Sequence, residues 1–78
     1  MKIKVLFFGA TADAAGKREM TLETAAVDAG MALNEIIAAT PALSKHKLLF
    51  ALNEEYVDRS SVLSEGDELA IFTAVSGG

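Results

Sequence analysis

Cysteine is absent from these 78 residues, and its absence excludes several kinds of chemistry at once. The chain has no disulfide framework, no zinc site built from thiolates and no cysteine nucleophile. A small domain without such cross-links depends on the packing of its core for stability. The hydrophobic fraction of 51% supplies that core and is typical of a globular domain.

An excess of positive charge is also missing. Lysine and arginine number 7 against 11 aspartate and glutamate residues, which gives a formal net charge of -4. Nucleic-acid binding depends on clustered cations that contact phosphates, so we expect no nucleic-acid partner. The acidic balance suits a protein partner with a basic surface instead.

Long apolar segments are missing as well. The cationic start and apolar run of residues 1–8 superficially resemble a signal peptide, but the run is too short, and Gly9 and Asp13 soon interrupt it. No segment approaches the length needed to span a bilayer. We therefore expect a soluble, cytoplasmic protein without a membrane partner.

Side chains suited to catalysis or metal binding are few. His46 is the only histidine and lies between two lysines, without a second ligand or a nucleophile to work with, which favours a solvated loop position. The acidic residues Glu54, Glu55, Glu65, Asp67 and Glu68 fall at predicted turns, where a solvated role is more common than acid-base or metal chemistry. We expect no metal site and no stably bound cofactor.

Alternating apolar residues predict a strand near each end of the chain. In the first, residues 2–8, the odd-numbered apolar side chains share one face; in the last, residues 68–74, Leu69 and Ile71 do so. Shorter elements are predicted between them: helical turns at 10–15, strands at 17–23, 48–52 and 55–57, and a turn or single helical loop at 60–63. The apolar run 48–52 is predicted as a buried, central strand.

The main helix is predicted to begin after Asp28, a good N-cap residue, and to end before Pro41, which disfavours helical geometry in the residue preceding it. Its apolar stripe consists of Ala29, Ala32, Leu33, Ile36 and Ile37. Gly30 in the first turn weakens the helix slightly, and Met31 is assigned to the core. The order of elements predicts a single α+β domain over residues 1–78, a β-grasp mixed sheet with one main helix and short helical turns.

The sequence ends in Val75-Ser76-Gly77-Gly78. The two glycines lack Cβ atoms, so they can thread a narrow channel and approach another backbone closely. ATP can turn the terminal carboxylate into an acyl adenylate, which a sulfur or nitrogen nucleophile then attacks. Small residues also gather at chain termini without any function, so the dipeptide alone does not decide its role.

Several motifs along the chain resemble those of one family. They are Ile3-Lys4-Val5-Leu6-Phe7-Phe8, Leu52-Asn53-x-x-Tyr56-Val57, Leu63-x-x-Gly66-Asp67-Glu68-Leu69, and Phe72 followed by the Gly-Gly end. Together and in this order they are similar to the ubiquitin-like MoaD/ThiS sulfur carriers, and within these to the small subunit of molybdopterin synthase. The resemblance covers essentially the whole chain.

This resemblance implies a flexible tail, residues 75–78, and a cycle of three steps. An E1-like activating enzyme uses ATP to adenylate Gly78, and a sulfur donor converts the adenylate to a thiocarboxylate. Val75, Ser76 and Gly77 then insert into the large subunit of molybdopterin synthase, within an expected heterotetramer, where the sulfur passes to cyclic pyranopterin monophosphate. The large subunit provides the catalytic side chains, and this chain provides a reactive terminus.

An apolar surface near the tail is predicted as the partner interface. Leu6, Phe8 and Phe72 lie on strand faces opposite the core residues, and Tyr56 is a candidate to join them. Burial under a loop is the alternative for these side chains. Docking through this sheet face in the family favours an interface in which Phe8, Tyr56 and Phe72 are the anchors.

Other functions remain open at the level of sequence. The chain could carry sulfur for the thiazole of thiamine or for a thiolated nucleotide, although thiamine-type carriers resemble a shorter chain without the helical segment 10–15. It could be a ubiquitin-like modifier that joins lysines, or a β-grasp binding module with an inert terminus. Thr73 and Ala74 replace prolines that family members commonly have, which predicts a less stiff exit for the tail.

Overall fold

The computed structural model of the protein describes residues 1–74, which form five strands and three helices. In chain order the elements are β1 (Lys2–Phe7), α1 (Ala10–Ala15), β2 (Glu19–Glu23), α2 (Ala29–Ala39), a 3-10 helix (Pro41–Lys45), β3 (Leu48–Leu52), β4 (Glu55–Tyr56) and β5 (Glu68–Thr73). None of these helices is long and apolar enough to cross a membrane.

The strands form one mixed sheet in the order β2-β1-β5-β3-β4. β1 and β5 pair in parallel, and the other three pairings are antiparallel. A parallel pair requires a crossover connection, and α2 lies within the segment that makes it. A mixed sheet that holds one main helix confirms the predicted β-grasp fold class.

Alternation along the strands divides the sheet into an inner face and an outer face. Ile3, Val5, Leu69 and Ile71 point to the inner face, and each is exposed by 1% or less. The helices complete this core with Ala32, Leu33, Ile36 and Leu43. Burial of these apolar side chains is the main favourable contribution to the stability of a domain without disulfides.

In the first turn of α2 the predicted N-cap is confirmed, but the predicted burial of one side chain is not. Asp28 caps the helix, because its Oδ1 accepts a hydrogen bond from the Met31 amide at 2.8 Å. The Met31 side chain is 46% exposed, so its assignment to the core is wrong. The core at this turn is instead filled by small residues, Ala29 and Gly30.

Gly30 has a structural reason for its place in a helix. Its amide donates to the Arg59 carbonyl oxygen at 2.8 Å, which brings two backbones into contact. A Cβ atom at this position would lie 2.9 Å from the Arg59 Cβ and 3.1 Å from the Arg59 carbonyl oxygen. Only glycine fits this close approach, which outweighs its low helix propensity.

The segment 60–63 is mostly extended, so the prediction of a turn or helical loop holds only at its start. A turn ends at Ser60, and Val62 then forms a β-bridge with Asp28. The Leu63 amide donates to the Val27 carbonyl oxygen at 3.0 Å. The segment therefore joins the N-terminus of α2 by backbone hydrogen bonds, and side-chain periodicity does not predict such bonds.

Several element boundaries also differ from the predictions. β2 begins at Glu19 rather than at residue 17, because Gly16 closes α1 in the left-handed conformation and the chain must then turn into the strand. Pro41 ends α2 as predicted but also opens the 3-10 helix, which the sequence interpretation lacks. The central strand is β5, whereas β3 is second from the edge.

Candidate partner-docking face

The outer face of the sheet is apolar toward the end where β5 finishes and charged toward the end where β5 begins. The apolar patch consists of Leu6, Phe8, Leu49, Ala51, Tyr56, Ala70 and Phe72. In the charged part, Lys4 lies beside Glu68 in the register of β1 and β5. The patch therefore lies at the sheet end from which the chain continues into residues 75–78.

The structure brings together the three aromatic residues that the sequence singles out. Tyr56 is 81% exposed and contacts Phe72 edge to face, with ring centroids 5.8 Å apart and an interplanar angle of 66°. Phe8 is 52% exposed and lines a shallow groove with Phe72, Gly9 and Thr73. Burial under a loop is therefore excluded for Phe8 and Tyr56. Exposed aromatic side chains that are grouped in this way are typical of binding surfaces.

Phe8 is held in position by a buried hydroxyl group. The Thr11 side chain is fully buried, and its Oγ1 accepts a hydrogen bond from the Phe8 amide at 2.9 Å. The same Oγ1 lies 2.7 Å from the Ile71 carbonyl oxygen and 2.8 Å from the Phe8 carbonyl oxygen, to which it can donate. Thr11 thus ties the end of β1 to β5, beside Phe72.

The turn after Phe8 depends on a glycine. Gly9 has φ 56° and ψ -125°, a backbone conformation that residues with a Cβ atom rarely adopt. It directs the chain from β1 into α1 immediately after Phe8, and α1 then supplies Thr11. Gly9 and Thr11 therefore set where the Phe8 ring lies on the outer face.

The sequence identifies Gly9 only as an interruption of the first apolar run, and it gives no indication of the role of Thr11. Threonine at the second position of a short alanine-rich segment carries no periodic signal. Its partner Ile71 is 60 residues away in sequence, so the hydrogen bond becomes apparent only when the strands are paired. Thr24 is the other buried polar residue of the described chain, and its hydroxyl bonds to the Glu35 carboxylate.

The charged part of the outer face contains an ion pair. Lys4 Nζ lies 3.1 Å from Glu19 Oε2, across the antiparallel pair β1–β2. The hydrogen bond and the negative charge of Glu19 raise the pKa of Lys4 above its ordinary value of 10.5. Both side chains are more than half exposed, so the pair contributes little to folding and maintains a hydrophilic surface.

The predicted reactive tail, Val75, Ser76, Gly77 and Gly78, lies outside the described residues. The strand that leads to it is described as far as Thr73, which still pairs with Leu48 in the sheet. Ala74 follows as an exposed residue. Proline at position 73 would remove a backbone donor from this paired strand, so threonine suits a strand that continues to this point.

Residues 1–74 offer no metal centre. Among them, no group of three or more histidine, cysteine, aspartate and glutamate side chains is close enough to hold an ion. His46 is exposed and lines a groove with Leu43 and Leu48 on the helix side of the sheet.

Comparison with known proteins gives consistent matches over the whole chain. At the level of sequence, it is 42% identical to the molybdopterin synthase sulfur carrier subunit of Chlamydomonas reinhardtii, and the alignment covers 100% of both chains. The small archaeal modifier protein 1 of Haloferax volcanii has a similar structure, with a TM-score of 0.85 at 26% identity over 95% of this chain and 98% of that one.

A third similar protein was solved in a complex. In the structure of subunits 1 and 2 of the molybdopterin-converting factor from Helicobacter pylori, the matching chain gives a TM-score of 0.73 at 25% identity over 100% of both chains. The family model described as ThiS family matches residues 5–78. The chain, with its β-grasp fold and its apolar patch beside the end of β5, belongs to the ThiS family.

Proposed function

We propose that the chain is the sulfur-carrier subunit of a molybdopterin synthase. The observation that carries this proposal is the 42% identity to such a subunit over the full length of both chains. The exposed aromatic side chains next to the end of β5 support it, because a carrier must dock beside the tail that it presents.

The proposed chemistry takes place at Gly78. Its carboxylate attacks the α-phosphate of ATP in an activating enzyme, which forms an acyl adenylate and releases pyrophosphate. Sulfur at the oxidation level of sulfide, delivered by a sulfur donor, attacks the acyl carbon. The new C–S bond replaces the C–O bond to AMP, and a thiocarboxylate remains. Its sulfur passes to cyclic pyranopterin monophosphate, and addition of water restores the carboxylate.

The described residues serve this cycle by docking and presenting the tail. The aromatic anchors Phe8, Tyr56 and Phe72 bind the large synthase subunit, in a heterotetramer, and Val75, Ser76 and Gly77 enter its active site. An E1-like enzyme must bind the same chain earlier in the cycle. The large subunit supplies the catalytic side chains, and this chain supplies the reactive terminus.

A ubiquitin-like modifier is the second candidate. The likeness to the small archaeal modifier protein 1 favours it, since that protein is named for modification and has the same fold at 26% identity. The two functions share activation of Gly78 and differ in the nucleophile: sulfide in a carrier, a lysine amine in a modifier. A carrier for thiamine thiazole or a thiolated nucleotide would also use sulfide as the nucleophile. It would differ from a molybdopterin carrier only in the molecule that accepts the sulfur.

Intact-mass analysis separates these functions. The chain is incubated with the activating enzyme of its own organism, ATP and a sulfide source, beside a matched variant that lacks only Gly78. We expect one terminal oxygen to be replaced by sulfur in the complete chain and no change in the variant. A ladder of lysine conjugates would favour the modifier.

The second stage adds the large synthase subunit and cyclic pyranopterin monophosphate, and molybdopterin formation is measured. We expect product only with the thiocarboxylated chain. If the variant without Gly78 supported molybdopterin formation, the proposed function would be wrong. A thiocarboxylate that forms but yields no molybdopterin would point to a carrier for another acceptor.

A further inference from the structure

The positive charges of this acidic protein are unevenly distributed along its sheet. The end of β5 lies with the end of β1 and with the starts of β2 and β3, because β1 and β5 are parallel and the other two strands run against them. Three of the seven lysine and arginine residues lie directly before β2 or β3, and a fourth ends the 3-10 helix that leads to β3. This tail-side rim consists of Lys17, Arg18, Lys45 and Lys47, all of them exposed.

The opposite end of the sheet is acidic. It carries the β3–β4 turn with Glu54 and Glu55, and the turn before β5 with Glu65 and Asp67. Two of these carboxylates are bonded to backbone amides there: Glu65 accepts from Lys2, and Asp67 from Ser64. The net charge of -4 therefore conceals a positive end, and that end is the one from which the tail leaves.

The rim cations adjoin the apolar patch. Lys47 directly precedes β3, and His46 before it has an extended backbone and lines a groove on the inner side with Leu48. Alternation then places Lys47 on the same side as Leu49, which pairs with Phe72. On the other flank, Arg18 lines a groove with Phe8, and its carbonyl oxygen accepts from the Phe7 amide at 2.8 Å.

The rim cations are also available for a partner. Within residues 1–74 the ion pair found is Lys4–Glu19, so none of the four rim side chains is neutralised by a described carboxylate. Two carboxylates, Asp13 and Glu19, line the groove that Arg18 shares with Phe8. Glu19 is engaged by Lys4, and within residues 1–74 neither carboxylate forms an ion pair with Arg18. Unpaired surface cations beside an apolar patch attract a partner that presents carboxylates around a matching apolar surface.

We propose that the tail-side rim binds acidic side chains that surround the tail-accepting pocket of the large synthase subunit, a statement that rests on the proposed function. The cations precede two separate strands and do not converge on one point, which fits several spaced carboxylates better than a single phosphate group. The rim would orient the approach so that the tail meets the pocket, and the apolar patch would supply most of the affinity. The net charge of -4 by itself predicts a partner with a basic surface. At the tail-side end, the local positive charge predicts an acidic partner surface instead.

Association kinetics with the large subunit test this proposal. Single charge reversals are made at the rim, Lys47→Glu and Lys17→Glu, with Lys2→Glu as the matched control at the acidic end. Each change alters the net charge by the same amount at an exposed position. We expect each rim variant to associate about threefold to tenfold more slowly at low salt, with a smaller change in the dissociation rate.

The control Lys2→Glu should associate as fast as the unaltered chain or faster, and the differences should shrink as salt is added. A neutral variant, Lys47→Gln, should fall between Lys47→Glu and the unaltered chain. Equal effects at all three positions, or no effect at any, would overturn the rim proposal while leaving the proposed function intact. If the unaltered chain did not bind the large subunit at all, the proposed function would fail, and the rim proposal with it.

Discussion

One face of β5 packs into the core of the protein, and the other face lies on its surface. Leu69 and Ile71 point inward and are completely buried, whereas Ala70 and Phe72 point outward and are half-buried. Both faces carry apolar side chains, but within residues 1–74 the helices pack against the inner one. Apolar character on its own therefore does not identify a core: the inner face stabilises the fold, and the outer face is free to bind a partner.

Leu69→Ala on the inner face tests the first half of this comparison. The residue is fully buried in the central strand, so its truncation should lower the free energy of unfolding by about 2–5 kcal/mol. That is a large part of the stability of a small domain, which is about 5–15 kcal/mol. Urea denaturation followed by circular dichroism measures it. A loss below about 1 kcal/mol would show that the core collapses around the missing side chain.

Phe72→Ala on the outer face should give the opposite pattern. We expect a stability loss of about 1 kcal/mol from the lost contact with Tyr56, and an affinity for the large subunit reduced about 30-fold or more. Titration calorimetry measures the affinity. Val62→Ala is the matched control, because Val62 is 75% exposed but lies beside the N-terminus of α2. Equal affinity losses in both variants would show that the patch has no special role.

Thr11→Val sharpens the comparison, because Thr11 connects the two faces. The substitution keeps the shape of the side chain and removes the hydroxyl that bonds the Phe8 amide and the Ile71 carbonyl oxygen. We expect a stability loss of about 1–3 kcal/mol, since buried polar groups lose a partner. Thr11→Ser retains the hydroxyl and should recover part of the loss. Similar destabilisation in the two variants would mean that the methyl group matters and the hydrogen bonds do not.

Lys4 on the charged part of the outer face should give the smallest effect. Its pKa is raised by Glu19, so the ion pair stabilises the folded chain fully below pH 10.5, and this contribution is lost as the pH rises through the raised value. Lys4→Met should lower the melting temperature slightly at neutral pH and low salt. The difference from Lys2→Met should vanish in high salt and at strongly alkaline pH. A difference that persists under those conditions would argue against an electrostatic origin.

Side-chain periodicity is sufficient to predict the elements that carry the fold. The inward residues of β1 and β5, the apolar stripe of α2 and the Asp28 cap all follow from local patterns, and the structure contains each of them. These features depend on residues that are close together in the sequence, so they can be predicted from the sequence alone.

Two features could not be predicted from local sequence patterns. The first is the contact between distant backbones, such as Gly30 with Arg59, which selects residues by the space available and not by their periodicity.

The second is the burial of β3. The run Leu48–Leu52 is apolar on both faces, which is typical of a strand buried on both sides. Here it is half-buried, because its outward residues Leu49 and Ala51 belong to the apolar patch. The apparent excess of apolar residues in β3 is therefore the sequence signal of the candidate docking face.

The central place of β5 has a consequence for the order in which the molecule is made. β1 and β3 both pair with β5, and both precede it in the chain, so during synthesis neither can complete its pairing until residues 68–73 have emerged from the ribosome. The core consequently closes late, around long-range contacts that form slowly. A polypeptide interrupted before β5 lacks the middle of its sheet and is exposed to proteolysis. Once the chain has folded, the strand that leads to residues 75–78 is already held in the middle of the sheet.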